Sequence, residues 1–346
     1  MPKEAPRAYP HPPVREEWLG LLHEDIIEPA LPIVDPHHHL WDRPGDRYML
    51  DELLADTGAG HDVVATVFIE CGSAYRTDGP EALRPVGETE FVARVAAEAE
   101  RRGGPTRVCA GIVGRVDFRL ADQVDAALAA HVAAGAGRFR GIRQSGAWDA
   151  AIVSRVPGPR PPPPAHMFAD PAFRSGFSRL AHFGMSFEAW IYHPQIPEAT
   201  DLARAHPDIP IVLDHVGGPL GVGPYRGQHD TAFQDWRAAI GELARCPNAH
   251  VKLGGLAMAI NGYDFHERPL PPSSDELAEA WRPWIEVAIE AFGARRCMFE
   301  SNFPVDKGMC SYPVLWNAFK RLAAGASAEE KAALFRDSAT RFYRLG

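Results

Sequence analysis

Short apolar runs alternate with helical patterns along almost the whole chain. The runs are rich in Val, Ile, Leu and Phe, and their lengths suit strands that are buried on both faces. Between them, apolar residues recur at helical spacing, and a last helical pattern covers residues 327–345. We predict eight strands, over residues 32–34, 63–69, 108–113, 139–142, 187–192, 209–213, 250–253 and 297–299.

Eight strands that alternate with helices favour one architecture. The fold class that we predict is α/β, a single (β/α)8 TIM barrel rather than an open doubly wound sheet. No Gly-x-Gly-x-x-Gly motif follows the first strand, which argues against a dinucleotide-binding fold. The helical patterns between the strands cover residues 87–103, 120–135, 171–184, 198–207, 233–246 and 276–293.

Two Pro-rich segments lie outside this alternation. We predict that residues 1–31 form an N-terminal extension on the surface and that residues 32–346 form the barrel, a metal-dependent catalytic domain. The tract VPGPRPPPP at 156–164 is predicted to be a loop insertion, because Pro fits neither a helix interior nor a central strand. Long loops are expected after strands 4, 6 and 7.

Composition and charge narrow the class of protein. The chain has 346 residues, is 46% hydrophobic and carries a net charge of −9 without a Lys/Arg cluster. We therefore expect a packed core and a small-molecule substrate, and neither nucleic acid nor a membrane as a partner. The five cysteines form no Cys-x-x-Cys pair and no signal sequence is visible, so we predict a cytoplasmic protein with reduced thiols. The oligomeric state stays open, a homo-oligomer included.

Histidines and a glutamate gather at the carboxyl ends of the predicted strands, where the active site of such a barrel forms. His37 and His39 are two residues apart after the first strand, so both can point into the barrel mouth. Imidazole and carboxylate ligands together suit Zn, Fe, Mn or Ni. We predict a metal site, and five ligands favour two metal ions. The predicted ligands are His37, His39, Glu70, His193 and His215.

Each of these residues also has an ordinary structural explanation. Glu70 could pair with Arg143, His193 could pack in the core, and His215 could shape a turn. Four His and one Glu at equivalent positions of one rim favour metal binding over these separate explanations.

Other rim residues could contact the substrate. His166 and His266 lie in the long loops after strands 4 and 7, and either could contact substrate or metal. The rim cations could meet a carboxylate or phosphate group; alternatively, Arg143 pairs with a nearby carboxylate and Trp41 packs under the extension. The predicted substrate-binding residues are Arg143, Gln144, Trp41, Tyr192 and Lys307.

Three segments resemble the amidohydrolase-related (amidohydrolase 2) family, metal-dependent enzymes built on a (β/α)8 barrel. They are DPHHHLWD at 35–42, DHVGGP at 214–219 and RCMFESNFPVD at 296–306, and the likeness covers nearly the whole chain. The resemblance implies that His37 and His39 are the ligand pair of strand 1. It also implies that His193 is the strand-5 ligand of two-metal members and that His215 is the strand-6 ligand.

One residue departs from this family. In its hydrolytic members the eighth strand usually ends in Gly-Ser-Asp-Trp-Pro, whose Asp binds metal and acts as the general base. Here that Asp is replaced by Asn302, whose amide can coordinate a metal through oxygen but cannot take a proton from water. Asn302 therefore stays a candidate ligand. Hydrolysis would need another base or ligand, and the candidates are Glu70, Glu300 and Asp306.

With this departure, the pattern looks similar to a branch that includes the non-heme di-iron monooxygenase of platensimycin and platencin biosynthesis. On that resemblance we expect an O2-dependent monooxygenase with two Fe ions and an electron donor, Zn or Mn being alternative metals. The expected substrate is a bulky apolar acid or acyl compound, CoA-linked or terpenoid, of secondary metabolism.

Two other hypotheses stay open. The first alternative is a metal-dependent hydrolase of a lactone, an amide or a related acyl compound, which the family as a whole favours. The second is a barrel without catalytic activity that serves as a partner subunit, against which the full set of rim histidines argues.

Overall fold

Eight parallel strands form the centre of the molecule in the computed structural model, which describes residues 11–152 and 161–346. Each strand pairs in parallel with the next one along the chain. Nearly all their residues are buried, as expected for strands between helices and a barrel interior. The strands are β1 (Ile33–His38), β2 (Val63–Ile69), β3 (Arg107–Gly114), β4 (Phe139–Arg143), β5 (Ser186–Ala189), β6 (Ile211–Leu213), β7 (Ala249–Leu253) and β8 (Cys297–Phe299).

Residues just beyond β8 close the barrel against β1. The Asn302 amide donates a hydrogen bond to the His37 carbonyl (2.9 Å), and the His39 amide donates to the Phe303 carbonyl (2.8 Å). His38 and Phe303 form an isolated parallel bridge at the same seam. The predicted single (β/α)8 barrel is therefore confirmed.

Helices surround the strands and form the outer layer of the barrel. They are α1 (Glu16–Leu19), α2 (Leu50–Thr57), α3 (Val86–Arg102), α4 (Val124–Ala134), α5 (Pro171–Phe177), α6 (Leu180–Phe183), α7 (Ile196–Ala205), α8 (His229–Ala244), α9 (Ser274–Phe292), α10 (Tyr312–Leu322), α11 (Ala328–Ala332) and α12 (Ser338–Phe342). A π-helical turn at Ala333–Asp337 joins the last two. A small antiparallel hairpin, Trp41–Arg43 with Asp46–Tyr48, follows β1.

The C-terminal segment fills the amino-terminal end of the barrel. Phe342, Tyr343 and Leu345 are buried against inward-facing strand residues such as Val34. The Arg107 side chain, at the start of β3, donates a hydrogen bond to the Leu345 carbonyl (2.9 Å). The amino-terminal end of the barrel is thus filled by side chains, and an active site can form only at the carboxyl ends of the strands.

Loops cover the carboxyl ends of the strands. Residues of the loops after β4 to β7 meet in one apolar cluster, which contains Ile152, Tyr192, Leu220, Met258 and Ile260. Residues 156–160 of the predicted Pro-rich insertion lie outside the described part of the chain.

The described part of the N-terminal extension packs on the barrel. Trp18 is buried and its indole nitrogen donates to the Arg268 carbonyl (3.0 Å). The Ile27 amide donates to Oδ1 of Asn317 in α10 (2.9 Å). Within residues 11–152 and 161–346, we find no helix with both the length and the apolar character needed to cross a membrane.

Candidate active site and metal centre

Three potential metal ligands meet at the barrel mouth. His37 lies near the end of β1, and Asp214 and His215 directly follow β6. The rings of His37 and His215 have centroids 4.5 Å apart. Each of the three residues offers a ligand atom within 4.8 Å of the other two, and all three side chains are buried.

The backbone at His215 is held in an unusual conformation. His215 and Val216 both have positive φ angles, 55° and 46°, which non-Gly residues rarely adopt. The Trp236 indole donates to the Val216 carbonyl (2.7 Å), and the Gly218 amide donates to the His215 carbonyl (2.8 Å). Such strain persists only where the surroundings impose it, and it is typical of functional sites.

Glu300 fixes the orientation of the His215 ring. Its Oε1 accepts hydrogen bonds from the His215 amide (3.1 Å) and from His215 Nδ1 (2.7 Å). A neutral His215 therefore carries its proton on Nδ1, and its Nε2 is available as a ligand. The other oxygen, Oε2, lies 2.8 Å from His37 Nδ1 but accepts no hydrogen bond of normal geometry.

Lys252 places a buried ammonium group beneath these residues. Its Nζ lies 3.0 Å from His37 Nδ1 and 3.2 Å from Asp214 Oδ1, and it forms a close ion pair with Glu188. Burial would lower the pKa of Lys252, but the surrounding carboxylates outweigh it and raise that pKa above its ordinary value. Burial raises the pKa of Asp214, yet Lys252, His215 and Arg143 together hold it well below the ordinary range.

Arg143 is a second buried cation at this site. Its Nε donates to Glu70 Oε1 (3.2 Å), and another of its nitrogens donates to the Glu70 carbonyl. A further guanidinium nitrogen lies 3.3 Å from His37 Nε2 and 3.7 Å from Asp214 Oδ2. Burial and the adjacent Lys252 ammonium lower the pKa of His37 well below its usual value, so this imidazole is neutral at pH 7, as a ligand must be.

These residues fit a divalent cation. Both carboxylate oxygens of Asp214 are buried and neither accepts a hydrogen bond of normal geometry, so their lone pairs have only the ion-pair contacts with Lys252 and Arg143. Two imidazoles beside it complete a donor set that suits zinc and related ions. His37, Asp214 and His215 would hold such an ion.

Comparison with known proteins identifies the family of this chain. A family model described as amidohydrolase matches residues 34–345. The chain belongs to the amidohydrolase family. An uncharacterised protein of Sinorhizobium fredii is 35% identical to it over 338 residues, which cover 90% of this chain and 98% of the relative.

Two further relatives carry names that bear on function. An L-fucono-1,5-lactonase of Burkholderia multivorans is 28% identical over 325 residues, with 90% of this amidohydrolase and 96% of the lactonase covered. A solved amidohydrolase from Burkholderia multivorans with bound zinc is 25% identical, has a TM-score of 0.69, and is covered over 99% of its length by 91% of this chain.

These findings overturn the expected di-iron monooxygenase. The relative named for its activity is a lactonase, and the solved amidohydrolase holds zinc, so the expected O2 chemistry, electron donor and iron ions have no support. A divalent metal in an amidohydrolase-type enzyme is the part of the cofactor prediction that stands. The prediction was wrong because the replacement of the usual Asp by Asn302 does not leave the site without a carboxylate, since Glu300 contacts both His37 and His215.

His39 lies beside the group of potential ligands formed by His37, Asp214 and His215 but does not belong to it. Its ring centroid is 4.9 Å from that of His37, and its Nδ1 donates to the Ile69 carbonyl (2.8 Å). This bond leaves Nε2 unprotonated in the neutral ring. Trp41 stacks on His39 at 5.8 Å, so this predicted substrate contact lies next to the ligand histidines.

His193 lies at a different part of the barrel mouth. Its Nδ1 accepts a hydrogen bond from the Leu220 amide (3.1 Å), and its ring meets Tyr225 at 5.3 Å. It borders a cavity of about 160 Å³ that Gln228 and Asp235 also line. Among the described residues, His193 is not part of the mutually close group of potential ligands.

Asn302 and Asp306, which follow Glu300 along the chain, are bonded to each other through their side chains. The Asn302 amide nitrogen donates to Asp306 Oδ1 (2.8 Å), and the Ala257 backbone amide donates to Asp306 Oδ2 (3.2 Å). Burial raises the pKa of Asp306 well above its ordinary value. Of the three alternative bases Glu70, Glu300 and Asp306, only Glu300 contacts both His37 and His215.

Other predicted contacts have partners elsewhere. Gln144 accepts from the Phe118 amide and donates to Asp117, and Lys307 pairs with Asp56 and Glu16. His166 is exposed and bonded to Glu198. Tyr192 belongs to the apolar loop cluster, and His266 is half-buried in the loop after β7.

The sequence analysis missed Asp214, Lys252 and Glu188 as site residues. One signal was available for two of them, because Glu188 and Lys252 are charged residues inside otherwise apolar strand segments. No such signal marked Asp214, since it stands at the end of a strand among other polar residues.

Proposed function

We propose that this amidohydrolase hydrolyses a lactone, with zinc held by His37, Asp214 and His215. Its similarity to an L-fucono-1,5-lactonase supports this substrate class. The observation that carries the proposal is the position of Glu300, a buried carboxylate between His37 and His215. It offers the proton acceptor that Asn302 cannot be.

Each residue then has a role in ester cleavage. Zinc, when bound, supplies a Lewis acid that makes the lactone carbonyl more electrophilic. Arg143, a permanent cation at the mouth, stabilises the negative charge that develops on the carbonyl oxygen. Tight packing around the site, such as the edge of Trp190 against His215 (4.8 Å), limits the access of bulk water.

Glu300 moves the proton. Its Oε1 is anchored by His215, while Oε2 is free to accept a proton from the attacking water. The water oxygen bonds to the carbonyl carbon, and the bond from that carbon to the ring oxygen breaks. Glu300 then returns the proton to the ring oxygen, so the product is a hydroxy acid.

The test is hydrolysis of L-fucono-1,5-lactone and a panel of other five- and six-membered lactones by the zinc-loaded protein, followed by acid release. Glu300→Gln should lower kcat by about 10²- to 10⁴-fold, the usual contribution of a general base, while the zinc content stays that of the unmodified protein. The matched control is Asp306→Asn, which replaces a buried carboxyl group that is bonded to Asn302 and to the Ala257 amide and to neither His37 nor His215.

Two results would contradict the proposal. One is the absence of hydrolysis of every lactone by zinc-loaded protein. The other is a Glu300→Gln variant that keeps full turnover, which would remove Glu300 from the proton transfer.

A further inference from the structure

The ammonium group of Lys252 lies where a cation could be coordinated. Its Nζ has four neighbours: His37 Nδ1 at 3.0 Å, Asp214 Oδ1 at 3.2 Å, Glu300 Oε2 at 3.9 Å and a close carboxylate oxygen of Glu188. The three carboxylate oxygens are donors that divalent cations accept, whereas a neutral His37 ring can ligate only through the one nitrogen that carries no proton. Lys252 itself is completely buried.

The formal charges of the site allow one divalent ion and no more. The buried carboxylates outnumber the buried cations by two, four minus two. The carboxylates are Glu70, Glu188, Asp214 and Glu300, and the cations are Arg143 and Lys252. Each cation has a close carboxylate partner, which leaves Asp214 and Glu300 for one divalent ion. A second would add two uncompensated charges in a poorly screened interior.

We propose that Lys252 is a built-in cation that occupies the inner of two cation positions in this barrel. A single divalent ion then binds at His37, Asp214 and His215, and the ammonium group excludes a second one. This inference concerns metal stoichiometry and does not depend on which substrate is hydrolysed.

The surroundings hold the ammonium group in place. The Tyr343 hydroxyl donates to Glu188 Oε1 (2.5 Å), so the carboxylate that pairs with Lys252 is itself fixed from below. The Tyr343 ring lies 5.7 Å from Lys252 Nζ. A neutral side chain at position 252 would remove the cation while the other donors remain.

The test measures zinc per chain after equilibrium dialysis against Zn²⁺. Lys252→Met should bind one zinc ion more than the unmodified protein, whatever number the latter binds. Lys252→Arg is the matched control, because it keeps the positive charge, and it should gain none. The five free cysteines are common to all variants and cancel in the comparison.

A Lys252→Met variant with the same zinc content as the unmodified protein would overturn the inference. If that variant fails to fold, Lys252→Gln likewise removes the positive charge, and its side-chain NH2 group can still donate to Glu188. This variant should also gain one zinc ion, and no gain would equally overturn the inference. Since no substrate is used, failure here and failure of lactone hydrolysis are separate results.

Discussion

At the scale of single residues, two glycines after β7 make room for the site. A Cβ atom at Gly254 would overlap the Glu300 side chain, and one at Gly255 would overlap the His215 ring. Gly255 also has a positive φ of 65°, which favours glycine by itself. The contact between Glu300 and His215 therefore depends on the absence of side chains at both positions.

Replacement of Gly255 by Ala should displace His215. The positive φ angle costs about 1 kcal/mol, and the overlap adds about 1–3 kcal/mol to the loss in the free energy of unfolding. Zinc affinity should fall as well, because the His215 ring shifts from Glu300. Denaturant unfolding and zinc titration measure the two effects.

The matched control is Gly293→Ala. Gly293 has a similar φ of 72°, but a Cβ atom added there would have no neighbour within 4 Å. This variant should lose only the backbone contribution and keep its zinc affinity. Equal losses in the two variants would show that the His215 contact does not matter.

The residues of the first strand show what sequence reasoning achieves at this scale. Alternation along a strand places His37 and His39 at the mouth and directs His38 away from it, and His38 does pack against Phe68 and Cys109. The direction of the Asn302 side chain could not be predicted, because it follows from a local backbone turn with a φ of 54°. Because of that turn, the place of Asn302 along the chain does not show where its side chain lies in the site.

At the scale of elements, the strands were easier to predict than the helices. Strand runs stand out because they are continuously apolar, and the predicted limits lie within a few residues of the observed ones. The helical patterns do not predict α10, in which nine of the eleven residues are buried, the polar Asn317 and Lys320 among them. Its polar residues Asn317 and Lys320 bond to residues 25–28 of the extension.

Tyr343, in the segment after α12, lies at the amino-terminal end of the barrel and contacts Glu188 of the site. Tyr343→Phe removes the hydroxyl that donates to Glu188, and it should cost about 1–3 kcal/mol in the free energy of unfolding, since a buried carboxylate loses a donor. Zinc affinity should rise, because a less firmly held Glu188 lets the Lys252 ammonium move from His37 and Asp214, where its positive charge opposes a divalent ion. Urea unfolding and zinc titration measure both.

Tyr48→Phe is the control for this prediction. The Tyr48 hydroxyl is also buried and donates to a carboxylate, Asp56 (2.8 Å), but outside the barrel interior. This variant should lose stability without a change in zinc affinity. A Tyr343→Phe variant that binds zinc as tightly as the unmodified protein would rule out the connection.

At the scale of the whole molecule, several buried histidines make stability depend on pH. Burial lowers the pKa of His38, His61, His131 and His250 to about 4. In His131, the neutral ring uses both nitrogens, as Nδ1 accepts from the Thr89 hydroxyl (2.8 Å) and Nε2 donates to the Arg115 carbonyl (3.0 Å). These side chains stay neutral in the folded protein at pH values where an unfolded chain protonates them.

We therefore expect the free energy of unfolding to fall as the pH drops from about 6.5 to about 4. In this window the unfolded chain binds more protons than the folded one, and above it the stability from these groups is complete. One such histidine contributes on the order of 3 kcal/mol over the window. Urea unfolding at a series of pH values gives the slope.

His131→Gln should reduce that slope, whereas replacement of the exposed His182 by Gln should leave it unchanged. An identical slope for His131→Gln and the unmodified protein would exclude His131 as one of the responsible groups.

The seam between β1 and the residues after β8 has a consequence for folding. The backbone of His37 and His39 makes the closing hydrogen bonds with Asn302 and Phe303, while the His37 side chain supplies one of the metal ligands. Glu300, two residues before Asn302, comes into reach of His37 only when this seam forms. In a chain whose seam is still open, Glu300 would not be in contact with His37. A zinc ion that binds only the complete centre would stabilise the closed ring over a chain in which this seam is open.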